Sequence, residues 1–423
     1  MQQPLSPEVE RIVETLTADA RAAARALAGA SSRVKDAALR RAAAGLRAAQ
    51  ATLLAANAGD VERTRAAGEN AAFVDRLTLT PQRIEAMAQG LDEVAALPDP
   101  VGETMAAWRR PNGLEIAQVR VPIGVVFSIY ESRPNVTADS AALCLKTANA
   151  VLMKGGSESQ ATNAAIADVF RAAVVAEGLP AAAVQLVTGG REVTRGLLHR
   201  DDRIDVVIAR GGETLKRAIL AESRIPVIKH FEGICHLYVD AAADLAMAER
   251  ICLNAKVQRP SVCNAIENLV VHEAVAKTFL PRMVAALRAA GCEVRGCAAT
   301  RAIVPDVVAA TDADWDTEYL DLVLSVRIVP SLDEALAFIA RHSTGLAETI
   351  VTESYAAAER FLDAVDSAAV FVNASTRFTD GFEFGFGAEV GISTNRLHAR
   401  GPMGLRELTT YKYRVRGNGQ TRA

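Results

Sequence analysis

The sequence predicts an α/β protein whose parallel strands form sheets in two domains. Short apolar runs that are typical of strands buried on both faces, such as 125–130, alternate with longer amphipathic runs that are typical of helices. Glycine pairs follow several of the apolar runs, at the positions of strand-to-helix turns. The alternation pauses near Glu232–Gly233 and then resumes, which indicates a second domain of the same kind.

Length and composition favour a multidomain protein with large apolar cores. The chain has 423 residues, of which 50% are hydrophobic and 23% are charged, enough for two or three domains. A net charge of −3 with both signs interspersed argues against a nucleic acid or an anionic membrane as the main partner. No apolar run reaches the roughly 18–20 residues that span a bilayer, and we recognise no signal peptide.

The six cysteines predict reduced thiols and no metal site. They are scattered along the chain and form neither a CxxC motif nor a Cys/His cluster with the spacing of a zinc site. Because disulfides are rare in the cytosol and no export signal is recognisable, we expect a cytoplasmic protein with free thiols.

The first hundred residues predict three helices. Apolar residues between Val9 and Leu16 recur at helical spacing, and a second long helix is expected at 33–64. A third helix begins after Thr80–Pro81, where a capping residue is followed by a proline suited to the first helical position. Pro98 and Pro100 end this helical region.

The rest of the chain predicts a hairpin and two parallel sheets. Segments 114–116 and 118–121 alternate in polarity like the two strands of a hairpin. A helix at 157–177 has the Ser157/Gln160 spacing of a capping box, and Gly178 ends it. The first sheet is predicted from strands at 125–130, 150–153, 184–187, 204–208 and 226–228. The second has strands at 236–239, 267–271, 293–295, 322–329, 349–351 and 370–372, helices at 244–256, 274–290, 332–342 and 356–365, and a last strand at 411–415.

Three glycine turns predict a place for an anionic ligand. Gly155–Gly156, Gly189–Gly190 and Gly211–Gly212 each follow a strand of the first sheet and precede a helix. Such turns can direct backbone N–H groups at an anion, and ligands of parallel sheets bind at the carboxyl ends of the strands. The GxGxxG fingerprint is absent, and the alternative is that these turns need glycine only for their backbone conformation.

Cys263 is the candidate nucleophile. It lies in a predicted loop between a helix and the strand at 267, and catalytic groups are often carried by such loops. Lys256 and Arg259 add positive charge that would favour a thiolate. The alternative for a single cysteine is a small buried hydrophobic residue, which describes Cys144, Cys252 and Cys235 better.

Polar residues follow the first buried strand. Arg133 could bind a carboxylate or phosphate with both guanidinium nitrogens, and Asn135 could donate to a developing oxyanion. The alternative is a solvated turn that contains proline.

A second polar cluster follows the strand at 370–372. It continues into a stretch rich in glycine and phenylalanine that ends at Gly391, which indicates a substrate wall or a lid. The alternative is an ordinary surface loop.

Four segments carry a resemblance to a known family. They are IYESRPNVT (129–137), LKTANAVLMKGGSE (145–158), VQRPSVCNAIE (257–267) and VFVNASTRFTDGFEFGFGAEVGIST (370–394). Their sequence, order and spacing resemble the aldehyde dehydrogenase superfamily, and more closely its γ-glutamyl phosphate reductase branch. The resemblance implies two Rossmann-like α/β domains and a small β oligomerisation flap.

The resemblance also implies a reaction. The thiolate of Cys263 would attack L-glutamyl 5-phosphate, phosphate would leave, and a thioester would remain. Hydride from NADPH would then give L-glutamate 5-semialdehyde, the second step of proline biosynthesis. Asn135 is the catalytic candidate beside Cys263. The candidates for substrate binding are Arg133, Arg259, Ser261, Asn373, Ser375 and Arg377.

NADP(H) is the cofactor that the resemblance implies. Relatives that prefer NAD often carry an acidic residue three positions after the lysine that corresponds to Lys154, whereas this chain has Ser157 there. An uncharged residue leaves room for a 2′-phosphate. The candidates for cofactor binding are Ser128, Tyr130, Lys154, Gly155, Gly156, Gly189, Arg210, Gly211, Gly212 and Glu318.

The resemblance divides the chain into three parts. Residues 1–108 and 122–231 would bind NADP, 232–400 would form the catalytic domain, and 109–121 with 401–423 would form the flap. A two-stranded ribbon is marginal alone, so a homo-oligomer is expected. Transient contact with glutamate 5-kinase is a further expectation.

Two other functions stay open. A hydrolytic semialdehyde dehydrogenase would use Glu232, which matches the glutamate that activates water in hydrolytic members. A non-catalytic nucleotide-binding protein would be indifferent to replacement of Cys263.

Overall fold

A computed structural model describes residues 5–422, apart from the side chain of Ala72. Fourteen α-helices lie in this part of the chain. They are α1 Pro7–Leu27, α2 Ser32–Ala48, α3 Gln50–Ala66, α4 Ala71–Leu77, α5 Pro81–Ala96, α6 Pro134–Lys146, α7 Gln160–Ala176, α8 Arg191–Leu198, α9 Glu213–Glu222, α10 Leu245–Val257, α11 Glu273–Ala289, α12 Ala298–Ile303, α13 Leu332–His342 and α14 Tyr355–Ala364.

The same residues form seventeen strands. They are β1 Thr104–Arg109, β2 Glu115–Pro122, β3 Val125–Tyr130, β4 Ala150–Lys154, β5 Val184–Leu186, β6 Val206–Arg210, β7 Val227–Ile228, β8 Cys235–Val239, β9 Ile266–His272, β10 Glu293–Gly296, β11 Val308–Ala309, β12 Val323–Val329, β13 Ala347–Val351, β14 Ala369–Val372, β15 Gly391–Ser393, β16 Gly401–Met403 and β17 Thr409–Arg416.

The chain divides into two compact units. The first comprises the chain up to Lys229, Gly385–Gly391 and the chain from Met403 onward. The second comprises His230–Phe384 and Ile392–Pro402. The pause near Glu232–Gly233 thus falls close to the change from one unit to the other.

The first unit contains a parallel sheet of five strands in the order β5-β4-β3-β6-β7. The strand β3 is buried along its whole length, as its continuous apolar sequence predicts. From β3 the chain proceeds outward to β4 and β5, and then returns to place β6 on the other side of β3. The order of the strands therefore reverses at β3, and the carboxyl end of β3 is the usual place for a ligand.

The second unit contains a parallel sheet of seven strands in the order β11-β10-β12-β9-β8-β13-β14. The strands β8 and β9 lie at its centre and are almost wholly buried. One core contains Leu237 of β8, Leu269 of β9 and Leu324 of β12, packed with Phe279 and Leu280 of α11. The α/β class with parallel sheets, predicted from the alternation, is confirmed.

A third sheet is antiparallel and has the order β1-β2-β17. Its outer strands are exposed along nearly all of their length. The predicted hairpin of 114–116 and 118–121 is wrong, because all of these residues except Leu114 belong to the single strand β2, which pairs with β1 on one side and β17 on the other. The pattern of alternation was continuous through Ala117 and contained no turn residue.

Two predictions about helices are also wrong. The helix expected at 33–64 is two helices, which meet at Ala49. The capping box of Ser157 and Gln160 does not form, because 157–159 is a 3₁₀ turn and α7 starts only at Gln160. The start of α5 is as predicted: the Thr80 hydroxyl accepts the N–H of Arg83 at 3.2 Å, and Pro81 is the first helical residue.

Candidate active site

The second unit places Cys263 on a short loop between α10 and β9. Cys263 and Cys297 are partly buried, whereas the other four cysteines are buried. Burial raises the pKa of Cys144 to about 12 and that of Cys292 to about 11, so these thiols stay protonated at neutral pH. The sequence-based assignment of Cys144, Cys252 and Cys235 to the core is confirmed. Only Cys263 and Cys297 are therefore accessible enough to act as nucleophiles.

Gly233 lies directly against the backbone of Cys263. A Cβ atom built on Gly233 would lie 1.9 Å from the Cys263 carbonyl oxygen, so only glycine allows this approach. The Gly233 N–H donates to Oε1 of Glu318 at 2.8 Å, and the Cys235 thiol lies 3.4 Å from the same Cys263 carbonyl oxygen. The loop that carries the candidate nucleophile is thus fixed on one side by the start of β8.

Arginine side chains bring positive charge close to Cys263. Burial lowers the pKa of Arg377, and the neighbouring Arg259 lowers it further, while the Cys263 sulfur opposes this shift. Arg377 donates through Nε to Oε1 of Gln258 at 2.9 Å and through Nη1 to the Asn264 side chain. Two guanidinium groups and a thiol therefore share one electrostatic environment, which would favour a thiolate and bind an anion.

Asn264 fastens the Cys263 loop to the segment after β14. Its side-chain N–H donates to the Thr379 carbonyl oxygen at 2.9 Å, and its backbone carbonyl oxygen accepts a hydrogen bond from the Thr376 hydroxyl at 2.7 Å. These bonds join the two sequence segments, 257–267 and 370–394, that contain the candidate nucleophile and the second polar cluster. Asn264 itself was missed, although it follows Cys263 directly.

Two of the substrate-binding candidates are engaged in turns. The Asn373 side chain accepts the Thr352 N–H and donates to the Thr352 carbonyl oxygen, both at 2.9 Å. The buried Ser375 hydroxyl accepts the Arg377 N–H at 3.3 Å at the start of a 3₁₀ turn. The side chains of Asn373 and Ser375 thus hold the backbone that carries Arg377. Ser261, a third candidate, is exposed. Their contact with a substrate stays a prediction.

Lys256 does not supply free positive charge to the thiol, and that expectation is wrong. Its side chain is fully buried and forms an ion pair with Glu267, with Nζ and Oε2 2.5 Å apart. Sequence proximity to Cys263 suggested a direct electrostatic effect, but the helix α10 turns the lysine into the core. Arg259, the other cation that precedes Cys263 in the sequence, is exposed.

The first unit places Lys154 and the glycine turns at the carboxyl ends of adjacent strands. Lys154 is half-buried, which lowers its pKa, and its Nζ donates to the Gly189 carbonyl oxygen at 2.7 Å. Gly190 precedes α8, and no atom lies within 4 Å of a Cβ built there. An ammonium group and the open start of a helix therefore lie side by side, which suits a phosphate.

The chain's own carboxylates occupy the other two turns. Glu131 accepts the Gly212 N–H at 2.9 Å at the start of α9. Glu158 accepts the Ser132 N–H at 3.2 Å, and a Cβ built on Gly156 would lie 2.0 Å from its Oε1. A ligand phosphate would have to displace Glu131 to reach that helix terminus.

The remaining candidates in this unit differ in exposure. Ser128 and Tyr130 are buried, with their hydroxyls 3.0 Å from Ser140 Oγ and 2.7 Å from Thr137 Oγ1, so neither presents a side chain to solvent. Arg133 and Asn135 are exposed at the start of α6. Their roles stay predictions.

Asp139 orients the Asn135 side chain. The Asn135 amide donates to Oδ2 of Asp139 at 3.1 Å. Burial raises the pKa of Asp139 to about 6, although Arg210 and Asn135 oppose the shift. Arg210 also donates through Nη1 to the Val390 carbonyl oxygen at 2.6 Å, which ties the third glycine turn to the glycine-rich loop.

The described residues form neither a metal-binding cluster nor a membrane-spanning helix. Within 5–422 no group of three or more His, Cys, Asp or Glu side chains could hold a metal ion. No helix in this part of the chain is long and apolar enough to cross a membrane.

Comparison with known proteins identifies the family. The model of the aldehyde dehydrogenase family matches residues 8–295. A gamma-glutamyl phosphate reductase from Moorella thermoacetica is 54% identical over 411 residues, which are 97% of this chain and 98% of the relative. One from Rhodospirillum rubrum is 54% identical over 95% of each chain.

A crystal structure agrees with the sequence comparisons. That of a gamma-glutamyl phosphate reductase from Thermotoga maritima is 46% identical and superimposes with a TM-score of 0.95, covering 97% of this chain and 100% of that one. This degree of similarity extends through both units and the antiparallel sheet. The chain belongs to the aldehyde dehydrogenase family, in its gamma-glutamyl phosphate reductase branch.

Proposed function

We propose that the protein reduces L-glutamyl 5-phosphate to L-glutamate 5-semialdehyde and phosphate, with NADPH as reductant and a thioester on Cys263 as intermediate. The family membership supports the reaction class. The observation that carries the proposal for this chain is the thiol of Cys263 in the electrostatic environment of Arg259 and Arg377. The reaction would be the second step of proline biosynthesis.

Cys263 is proposed as the nucleophile in the first half-reaction. Its thiolate forms a bond to the acyl carbon, the bond from that carbon to the phosphate oxygen breaks, and inorganic phosphate leaves with the electron pair. Arg259 and Arg377 would bind the phosphate or carboxylate of the substrate, because guanidinium groups match both anions. Asn135 would donate to the oxyanion, with Asp139 holding its amide in place.

The residues of the first unit fit a dinucleotide phosphate. Lys154 and the open helix start at Gly190 provide charge and N–H donors, and the close packing at Gly155 and Gly156 leaves no room for side chains there. The candidates that would hold the cofactor are Lys154, Gly155, Gly156, Gly189, Arg210, Gly211, Gly212 and, in the second unit, Glu318. When bound, the nicotinamide supplies the hydride that reduces the thioester.

Preference for NADPH is supported by the residue at 157. Ser157 is exposed and uncharged, and its hydroxyl donates to Oε2 of Glu158 at 3.4 Å. Position 157 itself thus carries no carboxylate, and the carboxylate of the neighbouring Glu158 is engaged with Ser132.

A homo-oligomer is part of the proposal. The strands β1 and β17 are exposed at both edges of the antiparallel sheet, with Trp108, Tyr411 and Tyr413 on its surface. Exposed edge strands of this kind pair readily with another chain. Sedimentation of a variant with Tyr413→Asp and Trp108→Asp tests this: an unchanged oligomer would exclude the sheet as the interface. Cytoplasmic location and transient contact with glutamate 5-kinase remain predictions.

The reverse reaction tests the proposed chemistry. Purified protein is mixed with glutamate 5-semialdehyde and NADP⁺, with and without inorganic phosphate, and NADPH formation is followed by absorbance. We expect formation that requires phosphate and that is lost in Cys263→Ala. Turnover without phosphate would contradict the proposal and favour hydrolysis activated by Glu232. Binding of NADPH with no turnover under any condition would indicate a non-catalytic protein.

A further inference from the structure

A buried ion pair closes the loop that carries Cys263. Lys256 is in the last turn of α10 and Glu267 is the second residue of β9, so the pair joins the two ends of the loop 258–265. The Nζ and Oε2 atoms are 2.5 Å apart, and both side chains are 0% exposed. The ends of the nucleophile loop are therefore held by a contact that water cannot reach.

The same pair holds a second loop. The other carboxylate oxygen of Glu267 accepts the Leu320 N–H at 3.4 Å, and Lys256 Nζ lies 5.8 Å from the centre of the Tyr319 ring. Leu320 has a φ of 53°, a left-handed conformation that a leucine adopts only when its surroundings impose it. Glu318 lies two residues earlier, and the Gly233 N–H that packs on Cys263 donates to it.

Stability alone is a poor explanation for this arrangement. Removing two charges from water costs about as much as their attraction returns, and apolar replacements of such pairs are often neutral or stabilising. Burial raises the pKa of Glu267 to about 7 even though Lys256 lowers it, so this site disfavours charge. A buried ion pair of this kind is better suited to fixing geometry.

We propose that Lys256 and Glu267 are positioning residues that keep the Cys263 loop and the Glu318 loop in one fixed arrangement. The inference rests on the proposed function, since it assigns the pair a role in attack by the Cys263 thiolate. It adds a chain of contacts from Lys256 through Glu267 and Leu320 to Glu318, and through Gly233 back to Cys263.

Neutral double variants test the proposal. Lys256→Met with Glu267→Gln keeps an oxygen that can accept the Leu320 N–H, whereas Lys256→Met with Glu267→Leu removes it. We expect both to fold with a melting temperature near that of the wild type. The kcat of the leucine variant should fall by about tenfold or more while KM stays within about threefold, and the glutamine variant should lie between it and the wild type.

A second readout does not depend on turnover. The rate of Cys263 alkylation by iodoacetamide is measured by peptide mass spectrometry, with the partly buried Cys297 as internal reference. The leucine variant should change the Cys263 rate and leave the Cys297 rate unchanged. Glu267→Asp keeps the charge and shortens the side chain, so it gives the same comparison if the neutral variants fail to fold.

The matched control is the ion pair of Lys35 and Asp99 in the first unit. The Lys35 Nζ and Asp99 Oδ2 atoms are 2.6 Å apart, and the two side chains are 1% and 8% exposed. Lys35→Met with Asp99→Leu should leave Cys263 alkylation unchanged. Folded Lys256/Glu267 variants, Glu267→Asp included, with wild-type kcat and wild-type Cys263 alkylation would overturn the positioning role. A wild type that reduces no acyl phosphate would instead refute the proposed function, while the alkylation comparison would still decide the positioning.

Discussion

Replacing Gly233 by alanine should displace Cys263, the proposed nucleophile. The added Cβ would lie 1.9 Å from the Cys263 carbonyl oxygen, 2.6 Å from its carbonyl carbon and 2.7 Å from its Cα, all backbone atoms that no side-chain rotation can move. Ordinary contact begins near 3.4 Å, so one of the two backbones must retreat by about 1.5 Å. A misplacement of about 1 Å can cost on the order of 10²-fold in rate, so we expect a loss of that size in kcat/KM.

The assay is steady-state oxidation of NADPH with enzymatically generated acyl phosphate, together with thermal unfolding. Overpacking should lower the free energy of unfolding of Gly233→Ala by about 1–3 kcal/mol, which leaves it folded. Gly90→Ala is the matched control, because Gly90 lies inside α5 and no atom lies within 4 Å of a Cβ built there. The free energy of unfolding of Gly90→Ala should rise by up to about 1 kcal/mol, and its kcat/KM should stay at the wild-type value.

One result would refute this reasoning. If Gly233→Ala turned over substrate with a kcat/KM within about threefold of the wild type, the close approach would have no consequence for catalysis. The Cys263 loop would then tolerate displacement, and the argument that Gly233 and Glu318 fix its position would fail with it.

Three other predictions follow from the site and its surroundings. Cys263→Ser should abolish reduction, whereas Cys297→Ser should leave kcat within about twofold, as measured by NADPH oxidation. Ser157→Glu should raise KM for NADPH by about tenfold or more and leave KM for NADH nearly unchanged, because it would place a carboxylate where the 2′-phosphate of NADPH is proposed to bind. Burial raises the pKa of Asp314, but hydrogen bonds from the Thr311 backbone N–H and from Arg295 hold it well below its usual value of 3.8, so its stabilisation is present above that pH and is lost as the pH falls. The deficit in unfolding free energy of Asp314→Asn should therefore narrow between pH 5 and pH 2 in denaturant titrations; a constant deficit would contradict this.

Local patterns were sufficient for the fold because burial on both faces leaves a direct trace in the sequence. The strand β3 is a continuous apolar run, and it is buried throughout. The strand β2 was split in two because alternation alone does not show where a strand ends. The capping box at Ser157 failed for a similar reason: its spacing is present, but the chain first makes a 3₁₀ turn.

The sequence proposes candidate residues where their chemistry is local, and it misses contacts that depend on distant parts of the chain. Cys263 and Arg377 were proposed from their residue types and the segments around them, and the structure brings them into electrostatic contact. Lys256 was assigned to the thiol because it is near in sequence, but α10 directs it toward Glu267. Helical geometry separates neighbours in sequence onto different faces, so proximity along the chain is weak evidence of electrostatic contact.

Gly233 shows why such roles resist prediction. Glycines are usually interpreted through their backbone freedom, and Gly189, with a φ of 101°, fits that interpretation. Gly233 lies outside the left-handed region, so its backbone conformation would accept other residues. What excludes them is the Cys263 carbonyl group, thirty residues further along the chain, which β8 and β9 bring close as neighbours in the sheet. The sequence pattern records that a glycine is present, but only the pairing of two strands reveals that the space for its missing side chain is already filled.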